Sequence, residues 1–122
     1  MKVVANDSYE SLGKYFDTFP MAIFETKDDW IKISRCNKSY RDFAVKYFGK
    51  LKLSAKIKIT SDQSGHSSVF LRTIRNSAKD GKRLFVRETI NDGVLVNSYI
   101  RRVAVNPVTG VTACAVVIMS VN

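Results

Sequence analysis

The chain has 122 residues, of which 45% are hydrophobic and 25% charged, and its formal net charge is +9. These values are typical of a globular protein with one domain and a sizeable core. No apolar run approaches the ~20 residues of a membrane-spanning helix, and the amino-terminal segment 1–7 is too short and turns polar too soon for a signal peptide. We therefore expect a single cytoplasmic domain over residues 1–122, without a membrane segment.

The amino-terminal part, residues 7–19, is predicted to form a helix. Asp7 is suited to cap it, and Glu10 would complete a capping box. Pro20 ends the segment. Its apolar face holds, at helical spacing, Tyr9, Leu12, Phe16 and Phe19. Gly13 weakens this helix, which therefore needs a partner surface for stability.

Two short strands are predicted next, over Met21–Thr26 and Trp30–Cys36, with the polar turn 27–29 between them. A second helix follows, with Asn37 as its cap and Gly49 placed to end it in the left-handed conformation. Its apolar stripe indicates a core face rather than a cofactor site and comprises Tyr40, Phe43, Ala44, Tyr47 and Phe48.

Residues 50–66 are rich in lysine and serine, and we expect a loop with a helical turn there. The net charge comes entirely from residues 43–122, with thirteen basic and four acidic residues. One stretch without an acid contains Lys46, Lys50, Lys52, Lys56 and Lys58. It is either a solvated face, which we favour, or a docking patch for phosphate, nucleic acid or an acidic partner.

A third helix is predicted from a cap at Ser67 or Ser68 to the stop at Asp80-Gly81, with its apolar face formed by Phe70, Leu71, Ile74 and Ala78. A three-stranded meander follows, over residues 82–90, 94–105 and 111–121. Its turns are Asn91-Asp92-Gly93 and Asn106 to Gly110, residue types that hairpin turns favour. By parity, Val111, Ala113, Ala115, Val117, Met119 and Val121 share one face of the last strand, and Thr112, Cys114, Val116, Ile118 and Ser120 share the other. Both faces are mostly apolar, so we expect both to be covered, one by the later helices and the other by the first helix or a second copy of the chain.

From about Tyr9 to Val121 the order of elements, together with several local sequences, resembles the PAS sensor domain. The resemblance is carried by the segment Phe19 to Phe24, the junction Asn37 to Tyr40, Ser64-Gly65, Asp80-Gly81, and the turn Asn106 to Gly110. It implies an α+β fold with a five-stranded antiparallel sheet, helices on one face and an N-terminal helix outside the sheet. The first two strands would occupy its centre and one edge. Cys36 and Cys114 would lie on strands that are not neighbours, as free thiols.

The resemblance also implies a regulatory role. Such domains bind a small molecule or a partner and control an attached effector, such as a histidine kinase or a diguanylate cyclase. We expect a homodimer and an effector domain carboxyl-terminal to this chain. The family often closes on Asp-x-Thr, whereas this chain has residues 119–122, Met-Ser-Val-Asn, in that place.

The sequence contains little that indicates a flavin, haem or metal site or a catalytic centre. Cys36 precedes Asn37 and does not match the reactive cysteine of the flavin-binding PAS subfamily. His66 is the single histidine and stands ahead of the third helix, which disfavours haem. One histidine and two distant cysteines do not form a closed metal site, and no nucleophile–base pair is recognisable. We therefore expect no enzymatic activity, and the cofactor, if there is one, stays unassigned.

Asn37 is the predicted structural junction between the first strands and the second helix. The candidate ligand pocket is bounded by Phe43, Tyr47, Phe70 and Ile74, with Arg87 and Tyr99 joining it if their strands direct them to the helical side. Parity leaves the faces of Arg87, Asn97, Tyr99 and Arg101 open.

The leading hypothesis is thus a PAS-type sensory and dimerisation domain. The alternative is a basic α+β nucleic-acid-binding domain, which we do not favour because the strands lack the basic-aromatic signature of RNA-binding sheets. A third hypothesis is a small ligand-binding enzyme of the α+β cone type, for which we find no buried acid or base.

Overall fold

The computed structural model describes residues 19–49, 51–59, 66–90 and 93–122, with only the backbone described over 66–69. The helix predicted over residues 7–19 lies, apart from Phe19, outside these residues. No helix in the described ranges is both long and apolar enough to cross a bilayer.

Strands and helices follow the predicted order with one addition. The elements are β1 Met21–Lys27, β2 Trp30–Cys36, α1 Lys38–Phe48, β3 Ile57–Lys58, α2 His66–Asp80, β4 Leu84–Ile90, β5 Val94–Val105 and β6 Thr112–Val121. The α+β class and the antiparallel sheet are confirmed. The strand order is β3-β2-β1-β6-β5-β4, so β1 lies near the centre. Cys36 on β2 and Cys114 on β6 are separated by β1, and both are free thiols, as predicted.

The prediction of five strands is wrong, because part of the expected loop pairs with β2. Ile57 lies opposite Ile31 and Lys58 opposite Trp30. The backbone N–H of Ile59 donates to the carbonyl of Asp29 at 2.6 Å, beyond this pair. The sheet therefore has six strands, and β2 is an inner strand rather than an edge.

Both helices cover the same face of the sheet and share one core. α1 contributes Tyr40, Phe43 and Ala44 to it, and α2 contributes Phe70, Ile74 and Ala78. From the sheet come Phe24, Ile31, Ile100, Cys114, Val116 and Ile118, all with 2% or less of their surface exposed. Burial of this apolar surface, at about 25 cal/mol per Å², is the main driving force that holds the layers together.

The last strand has two apolar faces, as its parity predicts, but only up to Met119. Ala113 and Ala115 are buried on the face away from the helices. A β-bulge in the β5–β6 pairing leaves Met119 unpaired between Ile118 and Ser120, and Met119 is 45% exposed. Val121 consequently packs against the helix-side core, which parity placed on the opposite face.

Of the predicted helix ends, some are confirmed and one is wrong. Gly49 has φ +84° and its N–H donates to the carbonyl of Val45, so α1 ends as predicted. α2 already begins at His66, so the prediction that Ser67 or Ser68 caps it is wrong. At its other end Gly81 has φ +72°, and its N–H donates to the carbonyl of Ser77 at 2.8 Å.

The turn of the β5–β6 hairpin is organised by one side chain. Asn106 Oδ1 accepts from the backbone N–H groups of Val108 and Thr109 at 2.9 and 3.2 Å. The carbonyl of Asn106 accepts from Gly110 N–H at 2.8 Å. The predicted turn is thus confirmed. In the β4–β5 turn, Asn91 and Asp92 lie outside the described residues.

Candidate ligand cavity

Asn37 joins the start of α1 to the start of β1. Its Oδ1 accepts from Tyr40 N–H at 2.8 Å and from Met21 N–H at 3.1 Å. Its Nδ2 donates to the carbonyl of Phe19 at 2.7 Å, and its own backbone N–H donates to Met21 O at 3.0 Å. The residue is therefore the helix cap that the sequence predicts, and it also ties together two segments that are distant in sequence.

A cavity of about 300 Å³ lies between the sheet, the two helices and the segment 51–57. Phe24 and Ile33 form its floor on the sheet. Its remaining lining residues are Tyr40, Ala44 and Phe48 of α1, Leu51, Lys52, Ala55 and Ile57 of the following segment, and Phe70 and Leu71 of α2. Nine of these eleven side chains are apolar. The cavity therefore suits an apolar molecule at the small end of the size range of ligand pockets.

Among the described lining residues, the polar side-chain groups are the phenol of Tyr40 and the ammonium of Lys52. Tyr40 is 3% exposed, and burial, with a smaller contribution from the neighbouring Cys36, raises its pKa far above the usual range, so the phenol stays neutral. Lys52 is exposed, at the rim. A neutral hydrogen-bonding group inside and a cation at the rim favour a ligand with an apolar body and an anionic end.

Of the predicted pocket residues on the helices, Phe70 lines the cavity and the other three do not. Phe43 is 8% exposed and packs its ring against Tyr40 and Tyr47, with centroid distances of 5.7 and 5.2 Å. Ile74 is fully buried beneath α2. Phe43 and Ile74 therefore belong to the core behind the cavity, and Tyr47 is half-buried beside Phe43.

Arg87 and Tyr99 lie on the opposite face of the sheet, away from the cavity. Arg87 pairs with Asn97 across β4 and β5, while the neighbouring Ser98 is buried on the helix side. Tyr99 pairs with Phe85, and their rings lie 4.9 Å apart on that outer face. Arg101 has the same parity as Tyr99 and Asn97. The condition for Arg87 and Tyr99 to join the helix-side pocket is therefore not met.

Four cavity residues, Leu51, Lys52, Ala55 and Ile57, come from the segment that we expected to be a loop. Their signal is an alternation of apolar and polar residues that runs from Leu51 to Ile59. This period of two predicts an extended segment. The structure forms a strand only over Ile57–Lys58, while Ser54 lies in a turn with φ +63° and donates its N–H to Ile33 O at 2.7 Å. Because lysines occupy several of the alternate positions, the overall composition of the segment suggests a loop and hides this alternation.

The remaining reactive side chains stand apart from the cavity. Cys114 is buried, burial raises the pKa of its thiol from 9.0 to about 11, and Arg102 opposes this shift. Burial likewise raises the pKa of Cys36, with Arg41 acting in the opposite direction. Both thiols therefore stay protonated at neutral pH. Residue 66 begins α2, but its side chain lies outside the described part. The structure therefore does not test the prediction that His66 is not a haem ligand.

No protein-family model matches this chain, and no curated protein matches it either.

Proposed function

We propose that the chain is a non-enzymatic sensory or regulatory domain of PAS type, whose cavity binds a small apolar ligand and which controls an attached effector such as a histidine kinase or a diguanylate cyclase. The observation that carries the proposal is the apolar cavity of about 300 Å³ between the sheet and the helices. Its volume and apolar lining support a small hydrophobic ligand with one anionic group near Lys52.

The coupling between cavity and effector is proposed to run through α1. Three side chains of α1 line the cavity, Tyr40, Ala44 and Phe48. The cap of the same helix, Asn37, holds Phe19 and Met21, where the chain enters β1. On the other side of that junction, Ile118 N–H donates to Pro20 O at 2.9 Å. A ligand that displaces α1 would shift this shared junction and the last strand with it.

Octanoate, octanol and a fluorescent apolar probe test the cavity. We expect octanoate to displace the probe and Ala55→Phe to weaken probe binding at least tenfold, or about 1.4 kcal/mol, because the ring fills space inside the cavity. Ala104→Phe is the matched control, since Ala104 is exposed on β5 and does not line the cavity. Equal affinities for the two variants would refute the cavity as the binding site.

The same titration tests the ligand's chemistry. Lys52→Gln removes the rim cation and leaves the apolar lining intact. We expect it to weaken octanoate but not octanol, because only the carboxylate interacts with the ammonium. If octanoate and octanol lost affinity equally, the proposal that the ligand has an anionic end would be wrong, whereas binding of an apolar ligand in the cavity would not be affected.

A further inference from the structure

An open groove of about 480 Å³ lies at one end of the sheet, and no large apolar side chain is among its described lining residues. One wall is α2, with Arg75, Ala78 and Lys79. The other is formed by the turns of the β1–β2 and β5–β6 hairpins, with Thr26, Lys27, Asp28, Gly110 and Thr112. The groove is thus built from three segments that the fold brings together.

Among the described residues that line this groove, three carry a positive charge and one, Asp28, carries a carboxylate. Arg75 and Lys79 are four residues apart on α2 and so share a helix face. Lys27 reaches in from the other wall, since a Cβ built on Gly110 would lie 3.6 Å from Lys27 Cε and 4.0 Å from its Nζ. In the described part of the chain, no carboxylate oxygen lies within 4 Å of these three cationic groups. The groove therefore attracts anions.

The basic stretch singled out in the sequence differs from the groove, because three of its five lysines contact groups inside the molecule. Lys46 lies over the ring of Tyr47 at 5.3 Å, and Lys56 lies over that of Trp30 at 4.5 Å. Lys58 pairs with Asp29 at 3.7 Å. This fits the interpretation of a solvated face for that stretch, and it makes the groove the better anion site.

The lining of the groove indicates which anion fits. It offers no aromatic ring for base stacking and no large apolar anchor of the kind that protein interfaces rely on. It offers a guanidinium, two ammonium groups and the Thr112 hydroxyl, all of which suit phosphate oxygens.

We propose that Lys27, Arg75 and Lys79 form a docking site for the phosphodiester backbone of duplex nucleic acid, read without regard to base sequence. The net charge of +9 supplies the long-range attraction, and the groove supplies the contacts. The site is separate from the ligand cavity and does not depend on the proposed function.

Fluorescence anisotropy of a labelled DNA duplex at several salt concentrations tests this site. Three phosphate contacts give a slope of about −2.7 in log affinity against log salt, which is about a 40-fold loss for a fourfold rise in salt. We expect the triple variant Lys27→Gln, Arg75→Gln, Lys79→Gln to lose that slope. The matched control, Lys46→Gln, Lys56→Gln, Lys58→Gln, removes the same charge and should keep it.

If the triple variant of the groove fails to fold, a second pair of variants still tests the site. Asp28→Asn removes the groove's carboxylate at a position with φ +52°, which asparagine tolerates, and should tighten duplex binding. Asp80→Asn makes the same charge change outside the groove and should tighten it less. Equal effects of the paired variants, or no duplex binding at low salt, would overturn the site. Competition by polyglutamate as effective as by unlabelled duplex would overturn the choice of nucleic acid.

Discussion

Asn37 shows how one side chain can fix a junction between two segments, the start of α1 and the stretch that leads into β1. Its amide forms hydrogen bonds with the backbone of Tyr40, Met21 and Phe19. The cap was predictable because it depends on residues only three positions apart. The hydrogen bond to Phe19 depends on the packing of α1 beside β1. Local sequence does not show that these two segments are close in space.

We expect Asn37→Ala to destabilise the chain by about 2 kcal/mol, because it removes a helix cap and leaves the Phe19 carbonyl without this donor. Urea unfolding followed by circular dichroism measures the loss. Asn76→Ala is the control, since Asn76 is exposed on α2 and alanine is the better helix former there. An unchanged unfolding midpoint for Asn37→Ala would rule out the junction.

Among the elements, α2 has its carboxyl end held by a long-range contact with β5. Arg102 Nη1 donates to the carbonyl of Ala78 at 3.2 Å, where the positive charge also faces the negative end of the helix dipole. A Cβ on Gly81 would lie 2.5 Å from Arg102 Nη2. Ser77 Oγ donates to Lys82 O at 2.7 Å and so reinforces the same turn.

Gly81→Ala should therefore cost about 1–3 kcal/mol, through its positive φ and through displacement of the Arg102 guanidinium. Gly93→Ala provides a comparison, because Gly93 also has positive φ but a Cβ there meets nothing within 4 Å. Thermal unfolding of the two variants separates the contributions. Equal losses would mean that the contact with Arg102 adds nothing.

The elements also show where sequence reasoning stops. Strands β1, β2 and β5 were predicted to within a residue, because alternation and turn residues are local signals. The pairing of β3 with β2 was missed because it depends on where a lysine-rich segment packs. The bulge at Met119 was missed because parity assumes an unbroken ladder. Of the four helix residues predicted to bound the pocket, Phe70 lines the cavity, because which part of an apolar helix face meets a cavity depends on tertiary packing rather than on local sequence.

For the molecule as a whole, the two faces of the sheet differ in what they present. The helix face holds the core and the cavity. On the other face Met21, Ile23 and Ala115 are buried, whereas Phe85 is 81% and Met119 45% exposed. An exposed aromatic on a sheet face is the kind of anchor that a protein interface uses. We propose this outer patch as the contact between two copies of the chain.

Phe85→Glu should convert the expected dimer to a monomer, because the new charge would be buried at the interface. Val108→Glu is the matched control, since Val108 is 91% exposed at the tip of the β5–β6 hairpin. Size-exclusion chromatography with light scattering gives the masses. A monomeric parent chain at high concentration, or a dimer that survives Phe85→Glu, would contradict the proposal.

Methyl NMR of the labelled chain during a titration with octanoate tests the ligand cavity most directly. We predict shifts for Ile33, Leu51, Ile57 and Leu71, which line the cavity, and none for Ile23 and Val103 on the outer face. Saturable shifts confined to the outer face, or no shift at any octanoate concentration, would contradict a ligand-binding role for the cavity.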